Sequence, residues 1–381
     1  MGVELAEIFR QYGPAYRQRY ADRLLPSHRR AMRAIEQCRT EALGGQVYHC
    51  AQCDQVQYCY HSCRNRHCPK CQHERAQAWL EQQQALLLPV PYFPIGAGTY
   101  SLLTFTLPAE LRKIARRQQR LIYDLLFRTS AAATQQLAQD PRFIGGQIGL
   151  VGMLHTWTRD LRYHPHVHYL VPAGGLAADG STWLAARKNF LLPVKALSRL
   201  FRGHLRQALQ KTPGYAEVPA RVWAQEWVVH CKPVGRGQTA LKYLAPYIFR
   251  VALSNRRLVK LEHDRVTFRY KASQTGQTKF CTLPVEAFIH RFLQHVLPKG
   301  FVKVRYYGLF APGFRPRLAA LHQQLSQRSA EPPCPTDQNP PAEAAAPSPE
   351  SLLASDVVQC PVCGRAMQAR LIIRPDARCP P

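Results

Sequence analysis

Tyr163-His164-Pro165-His166-Val167-His168-Tyr169-Leu170-Val171-Pro172 sets three histidines at alternate positions in a run that otherwise reads as a strand. Side chains alternate faces along a strand, so His164, His166 and His168 share one face and Val167 points to the other. Imidazoles so spaced can grip a divalent cation, with His166-Val167-His168 at the centre. Immediately upstream, residues 147–158 read as a second strand carrying His155 and Trp157, joined to the first by a short turn. Consecutive strands with a short loop pair antiparallel. With the turn centred near Leu161, His155 falls opposite Val167, with His166 and His168 as its neighbours. His155 is the candidate third ligand, and His164 the alternative. A histidine packed beside Trp157 accounts for His155 equally well, and a one-residue slip would turn it away.

A lone His-x-His is common on surface strands, so its meaning depends on the rest of the chain. The 381 residues carry 51 Lys+Arg against 24 Asp+Glu, a net charge of +27 distributed along the sequence. That excess predicts a polyanionic partner. Nucleic acid fits better than an anionic membrane, since no basic amphipathic helix of the membrane-lying kind is present. No apolar run approaches the ~20 residues needed to span a bilayer. Met1–Arg10 lacks the apolar segment of a signal peptide, which predicts a cytoplasmic, DNA-associated protein.

In such a reducing compartment the 13 cysteines read as metal ligands rather than disulfides. Seven lie between Cys38 and Cys71. The knuckles Cys50-x-x-Cys53 and Cys68-x-x-Cys71 predict one closed four-thiolate zinc site. Cys38, Cys63 and His67, with Cys59 or a nearby histidine (His49 or His61), offer a second. Spare cysteines also serve as small buried hydrophobes. Arg64, Arg66 and Lys70 around the cluster are candidate DNA contacts. Near the end, Cys360-Pro361-Val362-Cys363-Gly364 is half a zinc ribbon, with Cys334 and Cys379 available to complete it.

The rest of the chain reads as helix through 3–34, helix over 72–88, strand 100–107, helix 108–137, a hairpin turn at Ala178–Ser181, helix 193–210 and strand 223–231. A hairpin over 251–270 with its turn near His263-Asp264, helix 284–296 and strand 301–306 follow. The predicted helix 239–249 carries Tyr243-Leu244-Ala245-Pro246-Tyr247. Residues four apart share a helical face, so both hydroxyls point the same way. Two tyrosines at that spacing are commonly a packing pair. These signals divide the chain into a helical and zinc-binding domain (1–95), a second domain with the histidine strand and the tyrosine pair (96–325), a Pro/Ala-rich disordered linker (326–356) and a Cys-x-x-Cys tail (357–381).

Cys63–Cys71 (CRNRHCPKC), His164–His168 (HPHVH), Tyr243–Asn255 (YLAPYIFRVALSN) and Leu297–Phe301 (LPKGF) occur here in one order. In this the chain resembles the rolling-circle insertion-sequence transposases of bacteria. These are two-tyrosine members of the HUH endonuclease class with an N-terminal transposase zinc-binding domain. The resemblance covers residues 20–312. It implies an α+β fold, an HUH-type central antiparallel sheet flanked by helices, preceded by a small helical/zinc-ribbon-like domain. It implies Tyr243 and Tyr247 as nucleophiles on single-stranded element ends and target DNA, structural Zn²⁺, and catalytic Mn²⁺ or Mg²⁺ at His166 and His168. Arg250, Arg256 and Arg257, following the tyrosines, would join the DNA contacts, and host replication machinery would extend the freed end. Imidazoles favour Mn²⁺ over Mg²⁺, although an incomplete histidine set with open positions accommodates either. Relatives often have a histidine where this chain has Gln46, which leaves Cys59, His49 or His61 to substitute in the second zinc site. A plasmid replication initiator or relaxase would share the chemistry, and a non-catalytic zinc-dependent nucleic-acid-binding protein would share the cysteines.

Overall fold

In the computed structural model the described residues are 2–71, 88, 100–187, 190–235, 252–272, 275–329 and 358–375. The N-terminal helical stretch is two helices, α1 (Leu5–Arg19) and α2 (Pro26–Gln37). Pro26 takes the first turn of α2, where its missing N–H costs nothing. A hairpin of β1 (Gly45–His49) and β2 (Val56–Tyr60) follows. Next come β3 (Tyr100–Thr106), α3 (Arg112–Arg117), α4 (Gln119–Ala138), β4 (Gly149–Trp157), β5 (Tyr163–Pro172), β6 (Gly174–Leu176) and β7 (Trp183–Ala185). The chain continues through α5 (Val194–Gln210), α6 (Arg221–Ala224), β8 (Val229–Gly235), β9 (Leu258–Glu262), β10 (Arg265–Lys271) and β11 (Thr278–Pro284). It ends with α7 (Val285–Leu293), β12 (Val304–Gly308), α8 (Arg315–Ser329) and β13 (Gln368–Ile373).

The histidine strand β5 lies at the middle of a five-stranded sheet, order β12-β4-β5-β3-β8, whose neighbouring strands are all antiparallel. Alternation along it builds both faces. Val167, Tyr169 and Val171 point into a core with Phe105 of β3, Phe127 of α4 and Phe201 of α5. Leu170 points the other way, with Val151 and Met153 of β4, into a second core closed by Leu318, Leu321 and Leu325 of α8. The fold is therefore α+β with an antiparallel sheet flanked by helices, as expected.

A third core joins α1 and α2 to the β9–β11 meander and α7 through Phe9, Met32, Phe268, Phe288 and Phe292, and takes in Leu161 of the β4–β5 loop. Arg19 and Tyr20 both bond Glu286, and Tyr12 donates to Asp264. The N-terminal helices thus share a hydrophobic core with residues 252–296 instead of folding apart from them. The expected boundary near residue 96 lies outside the described residues, as do most of the expected helix 72–88 and all of the helix 239–249.

Three expectations are corrected. The helix over 108–137 is broken at Gln118, which takes a non-helical conformation between α3 and α4. The strand over 223–231 begins with the short α6, because Trp227 turns back to donate its ring N–H to the Val222 carbonyl, and pairing starts only at Val229. α8 runs to Ser329, past the expected start of the linker, since Leu318, Leu321 and Leu325 recur at helical spacing and are buried. The hairpin turns fall where expected: His263 and Asp264 both take left-handed φ between β9 and β10, and Asp179 accepts from the Ser181 and Thr182 amides between β6 and β7.

Burial leaves an acid sensitivity. Desolvation lowers His28 to about 4, His67 to about 3 and His295 to about 4. An unfolded histidine titrates near ~6.5. Below that pH the unfolded chain takes up protons that these folded sites refuse, so their contribution favours unfolding increasingly as pH falls toward their folded values. Stability is expected to be flat above about pH 7 and to fall steadily below about 6.5. His295→Gln should reduce that slope by up to about 1.4 kcal/mol per pH unit, read from urea midpoints. An unchanged slope would remove His295 from the account.

Candidate metal centres

The face of the central sheet that carries Val151, Met153 and Leu170 becomes polar one step further along. Cross-strand pairing runs Val151↔Leu170, Met153↔His168, His155↔His166. The sequence reading set His155 opposite Val167; Leu154 is there instead, and both of those side chains enter the core below. Directly opposed residues share a face, so this one-residue difference is what turns His155 toward the other two histidines. The register is set by the five-residue loop, where Leu161 takes φ 63° and the Thr158 amide donates to the Arg162 carbonyl. A bulge after His155 lays Trp157 against its ring, with centroids 5.2 Å apart.

The candidate ligand nitrogens of His155, His166 and His168 all lie within 4.8 Å of one another. Hydrogen bonds orient two of the rings. His166 Nδ1 lies 2.7 Å from the His164 carbonyl, which only accepts, so Nδ1 carries the hydrogen and Nε2 the lone pair. His168 Nδ1 lies 2.8 Å from Thr104 Oγ1, the residue opposite it on β3. A hydroxyl both donates and accepts; when Nδ1 donates to it, Nε2 of His168 is likewise a lone-pair ligand. Burial holds His166 well below the ordinary histidine value, with His168 adding to the effect, and lowers His168 to about 4. Both rings are neutral near pH 7, the state a cation requires. Three imidazoles on one rigid face fit a divalent cation and leave coordination positions for substrate.

His164 lies on the same face but is turned to Arg112, whose Nη2 sits 2.7 Å from its Nδ1. A guanidinium only donates, so His164 accepts; the histidine grouped with His166 and His168 is His155, and the alternative His164 is not in that group. Thr104 was not singled out from the sequence; its signal is its register opposite His168. Thr104→Val keeps the shape and removes the hydroxyl that bonds His168 Nδ1. It is expected to weaken Mn²⁺ binding roughly 10- to 100-fold, read by calorimetry. Unchanged affinity would detach Thr104 from the site.

The cysteines pair differently from the sequence expectation. Cys68 and Cys71 gather with Cys38 and Cys63, whereas Cys50 and Cys53 gather with Cys360 and Cys363. The hairpin explains it: Cys50 and Cys53 flank its turn, and Cys38 and Cys63 lie beyond its open end. A five-residue strand spans roughly 17 Å, so the two ends cannot share one ion. Sulfur–sulfur distances of 3.3 Å (Cys38–Cys71) and 3.6 Å (Cys63–Cys71) suit thiolates around one metal and are far beyond a disulfide bond. Hydrogen bonds from Cys38, Cys63 and Cys68 push the Cys71 thiol well below its ordinary range. His67 is not among the ligands; its Nε2 accepts the Leu297 amide at 3.3 Å. Cys59 lies on β2 opposite Gln46, outside both thiol groups. With four cysteines in each group, no histidine at position 46 is needed.

The basic candidates divide. Arg64, Arg66 and Arg256 are exposed. Arg66 donates to the Phe301 carbonyl, Lys70 pairs with Glu4, and Arg257 reaches the carbonyls of Arg159, Ala252 and Arg269, so these three hold the fold together. Tyr243, Tyr247 and Arg250 lie outside the described residues, as do Cys334 and Cys379.

Residues 149–317 match a family model described as "Putative transposase", and residues 8–96 one described as "Transposase zinc-binding domain". The chain is 39% identical over 400 residues to the "Putative transposase y4qJ" of Sinorhizobium fredii, covering 100% of this chain and 98% of that protein. It is 28% identical over 352 residues to the "Transposase for insertion sequence element IS801" of Pseudomonas savastanoi pv. phaseolicola, covering 87% of this chain and 80% of that one. No solved structure matches the chain.

Proposed function

Since the chain belongs to the family of rolling-circle insertion-sequence transposases, we propose that it opens and rejoins single-stranded DNA with Tyr243 and Tyr247 beside the trio His155, His166 and His168. The observation that carries the reading is the trio itself, three histidines on one face of a rigid sheet, with His166 fixed by the His164 carbonyl so that its Nε2 is free to bind. A divalent cation held there, Mn²⁺ or Mg²⁺, would bind a non-bridging oxygen of the scissile phosphate and offset the charge that develops on it.

The chain's own groups supply the rest. A tyrosine hydroxyl, of ordinary pKa ~10, loses its proton as its oxygen attacks phosphorus. The bond from phosphorus to the 3′ oxygen breaks, and that oxygen takes up a proton. The products are a 5′-phosphotyrosine and a free 3′-OH. The phosphodiester energy stays in the tyrosyl ester, so resealing needs no ATP, and the 3′-OH can prime replication. Two tyrosines allow two successive transfers without release of the first end. The segment that carries them has its described flanks at opposite ends of the sheet: Gly235 sits opposite Tyr100, and Ala252 lies in the core with Leu161. The histidines lie between these flanks. The zinc-bound N-terminal part would position the element's end, with the exposed Arg64 and Arg256 among the backbone contacts.

The test is incubation of labelled single-stranded DNA carrying the element's ends with the protein and Mn²⁺, followed by a denaturing gel and peptide mapping. A covalent adduct is expected on Tyr243 or Tyr247. Tyr243→Phe/Tyr247→Phe should abolish it while DNA binding stays within about threefold of the parent, since only two hydroxyls are lost. Cleavage by the double variant at the parent rate would sink the reading, and purely non-covalent retention by the parent would leave a zinc-dependent DNA-binding protein.

A further inference from the structure

Cys360-Pro361-Val362-Cys363 lies 307 residues from the N-terminal knuckle, counted from Cys53 to Cys360, yet the structure seats the two face to face. Sulfur–sulfur distances are 3.5 Å (Cys50–Cys53), 3.3 Å (Cys53–Cys360), 3.5 Å (Cys50–Cys363) and 3.7 Å (Cys53–Cys363). Four thiolates arranged tetrahedrally at ~2.3 Å from a zinc ion stand about 3.75 Å apart, whereas a disulfide bond is ~2.05 Å. The spacing is that of a metal site.

The two knuckles repeat each other. In each, the residue after the second cysteine takes left-handed φ: 52° at Asp54 and 70° at Gly364. In each, the amide of the first cysteine donates to the residue that closes the turn, Cys50 to the Gln55 carbonyl and Cys360 to the Arg365 carbonyl. Such a turn folds the backbone around a sulfur and leaves two thiols on one side. Each knuckle supplies only half of a four-ligand set.

The surrounding structure is shaped for the same contact. β13, which follows the C-terminal knuckle, pairs antiparallel with β1, from Gly45↔Ile373 to His49↔Gln368, and so completes a three-stranded sheet. Gly44 takes φ +69°, and a Cβ there would stand 2.5 Å from the Ile373 carbonyl and 2.8 Å from the Pro375 nitrogen. The N-terminal hairpin is cut to admit the C-terminal strand. Arg365 reaches across the knuckles to Gln52 at 2.9 Å.

We propose that Cys50, Cys53, Cys360 and Cys363 hold a second zinc ion that fastens the C-terminal strand to the N-terminal hairpin. The tail is then the third strand of the zinc-binding unit, and its attachment depends on metal and on reduced thiols. This inference stands apart from the strand-cleavage reading: the ion is held by a closed set of four thiolates, with no open position for a substrate.

The test uses the full chain loaded with Co²⁺ under reducing conditions. Thiolate-to-cobalt charge transfer reports sulfur ligation and ignores a cation on the histidine trio. Cys360→Ser/Cys363→Ser is expected to halve that absorbance, because one four-thiolate group remains of two. Undiminished absorbance would overturn the proposal. A protease site inserted after Asn339 gives a second measurement that needs no cysteine substitution. After cutting, the C-terminal fragment of the zinc-loaded parent should co-elute with the body and dissociate once metal is removed. A fragment retained without metal would show that strand pairing alone holds it, and the staple would be rejected.

Discussion

His166→Ala is expected to lower the rate of single-strand cleavage at saturating Mn²⁺ by about a thousandfold or more. Charge stabilisation by a bound cation at a phosphoryl oxygen supplies several kcal/mol, and about 4 kcal/mol corresponds to ~10³ in rate. His166 is the ligand with the most constrained geometry: its Nδ1 is committed to the His164 carbonyl, and it lies directly across from His155. Removing it leaves two nitrogens, too few to hold a hard divalent ion in one place. The change should be local. Val167, on the opposite face, belongs to the core, whereas His166 does not. Circular dichroism and DNA affinity are therefore expected to match the parent, with the loss confined to the chemical step. His164→Ala serves as the control on the same strand face. His164 bonds Arg112 instead of joining the trio, so its effect should be at least tenfold smaller. If His166→Ala cleaves within tenfold of the parent, the trio is not the cation site.

That strand was legible because its signal is local. Alternation over residues 163–172 placed the histidines on one face and Val167 on the other without any knowledge of neighbours. The membership of His155 depended on register, which the sequence reading missed by one residue, because the left-handed turn at Leu161 leaves no mark in composition. The expected helix 239–249 lies outside the described residues, and the role proposed for Tyr243 and Tyr247 rests on family motifs. The zinc pairing failed for a different reason. Spacing showed that Cys50-x-x-Cys53 and Cys68-x-x-Cys71 were knuckles, but a hairpin between them carries one to each end. The partners of the first come from the far end of the chain. Long-range closure of that kind is invisible to spacing; the available hint was the repeat of Cys-x-x-Cys followed by a residue that tolerates left-handed φ, Asp54 and Gly364. The arginines of 17–33 show the limit of charge counting. Arg17 pairs with Glu36, Arg19 pairs with Glu286 and Arg29 donates to the Ala21 carbonyl, so part of the net positive charge is engaged within the fold.

Loss of the other zinc should have the largest effect on stability. Structural zinc in small domains is worth roughly 10–16 kcal/mol of coupled folding and binding, more than the ~5–15 kcal/mol by which most folded chains are stable. Cys68→Ser is therefore expected to unfold the region around residues 38–71. The damage should not stop there. Cys38 and Cys68 are buried in the same core as Phe9, Phe288 and Phe292, so the site is built into α1, α2 and α7. On the loop between Cys63 and Cys68, Arg66 donates to the Phe301 carbonyl and His67 accepts the Leu297 amide. Two residues beyond Phe301, the Lys303 carbonyl accepts the Leu154 amide, next to His155 on β4. The knuckle thus props the edge of the sheet that carries the histidine trio. Hydrogen exchange should rise in Cys68→Ser not only over 38–71 but also over 285–301, and cleavage should fall even on short oligonucleotides that need no end recognition. The Cys360→Ser/Cys363→Ser protein should leave 285–301 protected, because its knuckle touches the hairpin turn and not this core. Exchange confined to 38–71 in Cys68→Ser would mean that the zinc-binding part folds and fails on its own, and that the third core transmits nothing to the site.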